Sequence, residues 1–157
     1  MVVFACVGII LSYGFGTHYR FLYNSGTSMV PTFYDNEFIL MKKVSPDIKL
    51  SRLQIVAIRN EGTGDLLIKR VIGLPGERIE LINGYIFING VRHRDHCGVG
   101  RISFLQIDEN NRIIDVQNIS QGETLIPHDH IWIIGDARDG SLFGLYPIKN
   151  VRGIIVW

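Results

Sequence analysis

A serine in a conformationally restricted loop is the first candidate for chemistry in this sequence. Residues 25–32 read Ser-Gly-Thr-Ser-Met-Val-Pro-Thr, in which Gly26 frees the backbone and Pro31 fixes it. A serine held in such a turn, here Ser28, can present its hydroxyl group and its own N–H to one reacting carbonyl. Taken alone, the segment favours the simpler interpretation of a Ser/Thr-rich loop without a catalytic role.

A lysine within an apolar strand is the second candidate. Lys69 and Arg70 follow one another in a predicted strand at residues 66–72. Neighbouring side chains of a strand point to opposite faces, so we expect only one of the two to face the core. Burial lowers the pKa of a lysine, and the neutral amine can then act as a base. An edge strand with both charges in water fits the pattern equally well.

A Gly- and Asp-rich segment is the third candidate. Residues 135–141 read Gly-Asp-Ala-Arg-Asp-Gly-Ser and follow a predicted strand at 131–134. Such a composition after a buried strand usually indicates a turn. In the functional interpretation, Asp136 pairs with Arg70 and Ser141 forms a hydrogen bond with Lys69.

Histidines and cysteines do not form a convincing metal site. Residues 93–97 and 128–130 contain ligating residue types, but their spacing matches no zinc pattern, and solvated loop histidines are the favoured interpretation. The sequence therefore predicts no metal and no cofactor. Cys97 is expected to be a free thiol or to pair with another chain.

The elements that must position these candidates are mainly strands. Asn83-Gly84 predicts a tight hairpin, because both turn residues accept positive φ, and Asn89-Gly90 predicts a second turn. A further turn is expected around Asn110-Asn111. The predicted strands cover residues 37–44, 53–59, 66–72, 78–82, 85–88, 102–107, 112–116, 124–126, 131–134 and 151–157.

Composition narrows the class of protein. The chain has 157 residues, the length of about one domain, and 46% of them are hydrophobic, which excludes a disordered chain. Its 16 Lys and Arg nearly balance 15 Asp and Glu, so nothing indicates a nucleic-acid partner. With only 2 cysteines, a disulfide-stabilised mini-protein is excluded.

The amino terminus is apolar. Residues 1–17 contain no ionised side chain, and as a helix they would extend about 26 Å, close to the thickness of a bilayer core. A membrane anchor is favoured over a buried core helix on the length of the run and the chemistry of its flank. It is favoured over a cleaved signal peptide because no basic residue precedes the run. We therefore divide the chain into an anchor at 1–20 and a β-rich domain at 21–157.

The three candidate segments, in this order, resemble those of type I signal peptidases, membrane-bound serine proteases of the S26 family that use a Ser–Lys dyad. The matches are Ser-Met-x-Pro-Thr at 28–32, Lys-Arg-Val-Ile-Gly-Leu-Pro-Gly at 69–76 and Gly-Asp-x-Arg-x-x-Ser at 135–141. The resemblance extends over nearly the whole chain except residues 92–122, a variable β insertion in the family. It implies a mainly β fold, an antiparallel catalytic domain with an N-terminal transmembrane helix.

The resemblance also implies roles for individual residues. Ser28 is similar to the family's nucleophile and Lys69 to its general base. Ser141 is similar to the serine that orients the lysine amine, and Arg70 and Asp136 match a pair that supports the lysine strand.

Substrate contacts follow from the same resemblance. The family removes signal peptides from exported preproteins after small residues of the Ala-x-Ala type, and the substrate binds as an added strand. By position, Met29, Phe33 and Ile68 would line its pockets. Gly26 stands where many bacterial members carry a hydroxyl group as a second oxyanion donor.

The third segment departs from the family pattern. The family normally continues with Asp-Ser-Arg-Tyr before the pair matched by Phe143-Gly144, and those residues are absent here. In the family, the Asp and Arg of that stretch support the lysine site, so Lys69 is expected to be held less firmly here. An active signal peptidase is favoured, and the alternative is a weak or inactive paralogue that binds signal peptides or partners at the membrane. A self-cleaving repressor-like protease is disfavoured, because no Ala-Gly or Cys-Gly pair precedes Ser28.

The resemblance further implies location and partners. We expect a single-pass protein of the cytoplasmic membrane whose catalytic domain lies on the extracytoplasmic side. Arg20, after the apolar run, weakly favours the opposite orientation. The expected partners are signal peptides and the lipid bilayer, the protein itself being a monomer.

Overall fold

The computed structural model describes residues 18–107, 113–116 and 119–156. These residues are rich in Ile, Val and Leu at alternating positions and form mostly β structure. A 3-10 turn at Ile148–Asn150 separates the last two strands. In chain order the strands are β1 (Tyr19–Tyr23), β2 (Phe38–Lys43), β3 (Ile55–Arg59), β4 (Leu66–Gly73), β5 (Arg78–Ile82), β6 (Tyr85–Ile88), β7 (Val91–Arg92), β8 (Val99–Ile107), β9 (Ile113–Val116), β10 (Gln121–Leu125), β11 (His130–Ile134), β12 (Ala137–Asp139), β13 (Phe143–Pro147) and β14 (Val151–Ile155).

The strands form three sheets. The main sheet is antiparallel, with seven strands in the order β1-β2-β14-β3-β4-β11-β13. A four-stranded sheet has the order β10-β5-β6-β7. In the third sheet, β8 lies between β12, to which it is parallel, and β9, to which it is antiparallel.

Strand β4 is central because apolar clusters cover both of its faces. On one face Val71 packs with Ile131 and Ile133 of β11. On the other, Ile72 packs with Trp132 and with Ile79 of the smaller sheet. Full burial of each such side chain stabilises the fold by about 2 kcal/mol. The strand that carries Lys69 is thus firmly held in the fold.

Several sequence predictions are confirmed. Strands β5 and β6 coincide with the predicted bounds, and their turn uses Asn83 and Gly84 at φ 50° and 75°. Strand β4 extends one residue beyond its prediction, to Gly73. The other predicted strands within the described residues are present with shifted ends.

Four strands of the described part of the chain were not predicted. Strands β7 and β12 are too short to show a pattern, and β13, at Phe143–Pro147, is interrupted by glycine and proline. Strand β1 begins at Tyr19, so Tyr19 and Arg20, which we assigned to the anchor, pair with β2 instead.

The remainder of the predicted anchor, residues 1–17, lies outside the described residues, as do the turn at Asn110-Asn111 and Trp157. Among the residues that the structure describes, no helix has the length and apolar character needed to cross a membrane.

Candidate active site

Ser28 and Lys69 are in direct contact. Ser28 lies in the loop between β1 and β2, and Lys69 lies near the middle of β4. The Lys69 Nζ donates a hydrogen bond to the Ser28 Oγ over 2.6 Å. Ser28 is half-buried, whereas Lys69 is only 4% exposed. The structure therefore brings together the predicted nucleophile and the predicted general base.

Both charged residues of the Lys69–Arg70 pair are buried, whereas we expected only one to face the core. The expectation was wrong because β4 lies between β3 and β11 and is covered on both faces. Lys69 faces the Ser28 loop, and Arg70, 6% exposed, faces Asp136. The edge-strand interpretation is thereby excluded.

Burial changes the chemistry of Lys69. Loss of hydration lowers its pKa from 10.5 to about 8, although the negative charge of Asp136 partly opposes this shift. A substantial fraction of the amine is then neutral in mildly alkaline solution. A neutral amine at hydrogen-bond distance can accept the proton of a serine hydroxyl group.

Asp136 joins three elements of the site. Its carboxylate is completely buried and accepts hydrogen bonds from Arg70 Nε over 2.7 Å and from Arg70 Nη2 over 2.6 Å. It also accepts a short hydrogen bond from the Thr32 hydroxyl group. Burial alone lowers the pKa of Arg70, but the hydrogen bonds and charge of Asp136 raise it above its ordinary value. The predicted Arg70–Asp136 pair is present, and it ties β4 to the loop after β11.

Ser141 does not contact Lys69 in the way we predicted. Its Oγ accepts a hydrogen bond from the Gly135 N–H over 3.0 Å and donates one to the Leu142 carbonyl over 3.4 Å. Among the described residues no hydrogen bond joins Ser141 to Lys69. The prediction was wrong because residues 135–141 close on themselves, so the Ser141 hydroxyl group satisfies the backbone of its own loop.

The loop at residues 135–141 supports Ser28 from behind. The Ala137 N–H donates a hydrogen bond to the Ser28 carbonyl over 3.1 Å. A Cβ at position 135 would lie 2.1 Å from Ser141 Oγ and 2.2 Å from the Ser28 carbonyl oxygen, so only glycine fits there. Sequence reasoning missed this support, and Gly135 was the one signal that pointed to a close backbone approach.

Buried and acidic side chains hold the other side of the Ser28 loop. Asn24 is buried and donates from Nδ2 to the Tyr34 carbonyl over 2.7 Å. The Gly26 N–H donates to Asp35 Oδ1 over 2.7 Å, with Gly26 at φ 104°. The sequence indicated Gly26 but not Asn24 and Asp35, the two side chains that fix the loop around it.

A cleft of about 300 Å³ opens beside the Ser28–Lys69 pair. It lies between β1 with the residues that follow it and the first half of β4. Its walls are formed by Arg20, Leu22, Tyr23, Asn24, Ser25, Ser28, Leu66, Leu67, Ile68 and Lys69. A larger cleft of about 550 Å³, between residues 46–50 and 148–149, contains neither member of the pair.

The predicted substrate-binding residues are dispersed. Ile68 lines the cleft beside Ser28, as expected. Phe33 instead lines a separate cleft with Phe38 and Ile55. Met29 lies in the core at 1% exposure, so its side chain does not reach the wall of the cleft beside Ser28 or of the cleft lined by Phe33. Gly26 is exposed but does not line the cleft.

A serine and a lysine in contact beside a cleft of an antiparallel β domain form a site suited to acyl transfer. Comparison with known proteins then gives the family. The family described as "Signal peptidase, peptidase S26" matches residues 1–157. The chain therefore belongs to the S26 family of signal peptidases, which are serine peptidases.

Two signal peptidases of Bacillus subtilis agree with this assignment. Signal peptidase I V of Bacillus subtilis (strain 168) is 30% identical over 142 residues, which cover 83% of this chain and 79% of that protein. Signal peptidase I P of Bacillus subtilis subsp. natto is 28% identical over 137 residues, 82% of this chain and 70% of that protein. The crystal structure of a signal peptidase I from Enterococcus faecalis aligns with a TM-score of 0.45 at 24% identity, covering 68% of this chain and 97% of that one.

Proposed function

We propose that this protein is a serine endopeptidase that removes N-terminal signal peptides from exported preproteins, with Ser28 as nucleophile and Lys69 as general base. The observation that carries the proposal is the 2.6 Å contact between Lys69 Nζ and Ser28 Oγ. It is supported by the pKa of about 8 at Lys69, which burial lowers despite the opposing charge of Asp136.

The proposed reaction is acyl transfer through Ser28. The neutral Lys69 amine takes the hydroxyl proton as the Ser28 oxygen attacks the scissile carbonyl carbon. The resulting ammonium gives that proton to the leaving amine as the C–N bond breaks, which leaves an ester on Ser28. Water then attacks the ester and loses a proton to Lys69, and the proton returns to the serine oxygen as the new carboxyl end is released.

The oxyanion formed in each step requires hydrogen-bond donors. The main-chain N–H of Ser28 is the donor that we assign, because a nucleophile in a tight loop can direct its own amide towards the attacked carbonyl. Gly26 supplies no side-chain hydroxyl group for a second donor.

The cleft between β1 and β4 is the proposed substrate site. Its strand walls suit an extended peptide that adds main-chain hydrogen bonds, with alternate side chains in shallow pockets. Ile68 lies beside Lys69 on this wall and would contact the residue next to the cleaved bond. Cleavage after small residues of the Ala-x-Ala type is part of the proposal.

The location proposed for the protein is the extracytoplasmic face of the cytoplasmic membrane. The apolar residues that precede β1 would anchor it there, in contact with the bilayer. Signal peptides would reach the cleft from the same membrane, and the protein would act as a monomer.

The direct test is cleavage of a preprotein that carries an Ala-x-Ala site by the purified full chain in detergent. We expect cleavage by the parent and its loss in both Ser28→Ala and Lys69→Ala. Ser51→Ala and Lys42→Ala are matched controls, because both side chains are exposed and lie outside the cleft. Both controls should cleave like the parent.

One feature favours a second candidate, a paralogue that binds signal peptides without cutting them. Ser141 does not orient Lys69 in this structure, so the amine lacks the hydrogen bond expected from the family pattern. A parent chain that binds the preprotein but leaves it intact would support this candidate and overturn the proposed peptidase.

A further inference from the structure

A buried ion pair lies behind the Ser28 loop, outside the cleft. Arg138 Nη2 donates to Asp95 Oδ2 over 2.8 Å, and both side chains are more than nine-tenths buried. Asp95 Oδ1 also accepts hydrogen bonds from the main-chain N–H groups of Cys97 and Gly98, over 3.0 and 2.7 Å. One carboxylate therefore fixes both the turn that follows it and the guanidinium group of Arg138.

A short chain of contacts leads from this pair to Ser28. Arg138 Nε donates to the Gly135 carbonyl over 3.2 Å, and Gly135 is the residue that packs directly against the Ser28 carbonyl. The next residue but one, Ala137, donates its N–H to that same carbonyl. Asp95 is thus separated from the backbone of Ser28 by one side chain and one loop.

The segment around Asp95 secures this loop at further points. The Val99 N–H donates to the Asp136 carbonyl over 2.8 Å, and β8 then runs parallel to β12. The Gly140 N–H donates to the Ser103 carbonyl over 3.2 Å, and the Ser103 hydroxyl group donates to Asp139. These contacts extend the support along most of residues 135–141.

The contact surface between the two segments is tight. A Cβ at position 98 would lie 2.1 Å from Arg138 Cζ, so the guanidinium group is pressed against the backbone of Gly98. Although burial alone raises the pKa of Asp95, the His93 ring at 3.4 Å from its Oδ2 and the hydrogen bonds from Arg138 and the Gly98 N–H hold it well below the usual range. The carboxylate therefore remains charged wherever the peptidase would work.

We infer that Asp95 is a positioning residue for Ser28, which acts through Arg138 on the loop at residues 135–141. The consequence for catalysis rests on the proposed function. This support comes from within residues 92–122 and acts on residues 135–141, which lie just before the position, after Leu142, where the Asp-Ser-Arg-Tyr stretch is absent. Residues 95–103 thereby stabilise the loop at residues 135–141.

The test compares Asp95→Asn with the parent in the full chain. Asparagine keeps an acceptor for the turn but removes the charge that holds Arg138. We expect kcat to fall by about 10- to 100-fold, because small displacements of a reacting group have effects of this size. KM should stay within about threefold, because neither Asp95 nor Arg138 lines the cleft. Arg92→Ala is the matched control, since Arg92 stacks on Tyr85 at 3.7 Å beside the ion pair.

A second readout does not depend on cleavage. Hydrogen exchange of the Ala137 amide reports its hydrogen bond to Ser28, and we expect it to accelerate about tenfold or more in Asp95→Asn but not in Arg92→Ala. An active parent with an equally active Asp95→Asn, or unchanged exchange at Ala137, would overturn the inference. A parent that cuts nothing would overturn the proposed function, and the exchange measurement would still decide the positioning role.

Gly98→Ala is the second variant if Asp95→Asn fails to fold. Its added methyl group displaces the Arg138 side chain without removing any charge. Gly122→Ala is its control, because nothing lies within 4 Å of a Cβ there. We expect Gly98→Ala to reduce kcat and to accelerate exchange at Ala137, whereas parent-like values of both would contradict the inference.

Discussion

The Ala137 N–H donates a hydrogen bond to the carbonyl oxygen of Ser28 over 3.1 Å. This bond joins the loop between β1 and β2 to the loop after β11, two segments from opposite ends of the sequence. A second bond, from Thr32 to Asp136, joins the same two loops. The position of the Ser28 hydroxyl group relative to Lys69 is therefore set jointly by both loops.

Gly135→Ala should displace Ser28. The new Cβ would fall 2.1 Å from Ser141 Oγ and 2.2 Å from the Ser28 carbonyl oxygen, and the latter is backbone that can yield only if the loop moves. We expect cleavage to fall by roughly 100-fold, because the Ser28 Oγ leaves its contact with Lys69. Steady-state kinetics on a preprotein measures the loss.

Gly122→Ala, where a Cβ meets nothing within 4 Å, is the control for Gly135→Ala and should cleave normally. Parent-like cleavage by Gly135→Ala would show that the loop does not position Ser28.

Cleavage should depend on pH through Lys69. Burial lowers the pKa of this amine to about 8 against the opposing charge of Asp136, and only the neutral form can take the serine proton. We expect kcat/KM to rise about tenfold per pH unit below that pKa and to level off above it. Circular dichroism over the same pH range would check that the fold is unchanged. A flat profile between pH 6 and 9 would argue against Lys69 as the base.

Lys69→Met should stabilise the fold at neutral pH while abolishing cleavage. Below about pH 8 the lysine is charged in both the folded and unfolded states, so the folded protein bears the full cost of burying a cation. The shift from 10.5 to about 8 corresponds to about 3 kcal/mol of unfolding free energy. Between these two pKa values only the unfolded state holds the proton. The parent therefore gains stability as pH rises, and the stability advantage of Lys69→Met shrinks.

Denaturant unfolding at pH 7 and pH 10 measures that difference. Lys42→Met is the matched control, because Lys42 is exposed on β2 and should show little change at either pH. A Lys69→Met variant no more stable than the parent at pH 7 would mean that the amine is not strongly desolvated.

The sequence predicted the parts of the fold that local chemistry determines. The hairpin at Asn83 and Gly84 forms because both residues adopt positive φ, and β4 forms because its apolar run is long. The pairing of Lys69 with Ser28 followed from a resemblance in three segments. The pairing of Arg70 with Asp136 was part of the functional interpretation of residues 135–141, and the resemblance implies the same pair.

The sequence failed where the outcome depends on tertiary contacts. Burial of both Lys69 and Arg70 depends on which strands cover β4. The direction of Ser141 depends on how a short loop satisfies its own N–H groups. The Asp95–Arg138 pair has no local signature, because its residues lie on separate segments and each is typical of a solvated turn.

Asp136→Asn combines a stability effect with a catalytic one. The carboxylate is buried with the Arg70 side chain, which is 8% exposed, and the neutral amide would leave that guanidinium group without a counter-charge. We expect a loss of about 3 kcal/mol or more in unfolding free energy, as for other buried ion pairs with one partner removed. Glu123→Gln is the control, because its pair with Arg78 is about half exposed and should contribute less than about 1 kcal/mol.

Asp136→Asn should also shift the pH dependence of cleavage, which a simple loss of structure would not do. Burial lowers the pKa of Lys69, whereas the charge of Asp136 raises it, so removing that charge should lower the pKa of Lys69 below about 8. The remaining cleavage by Asp136→Asn should therefore reach half of its plateau at a lower pH than cleavage by the parent. Denaturant unfolding and a pH profile of kcat/KM measure the two effects on the same preparation. Parent-like stability would show that Asp136 does not compensate the charge of Arg70. A midpoint moved to higher pH would show that the Asp136 charge does not raise the pKa of Lys69.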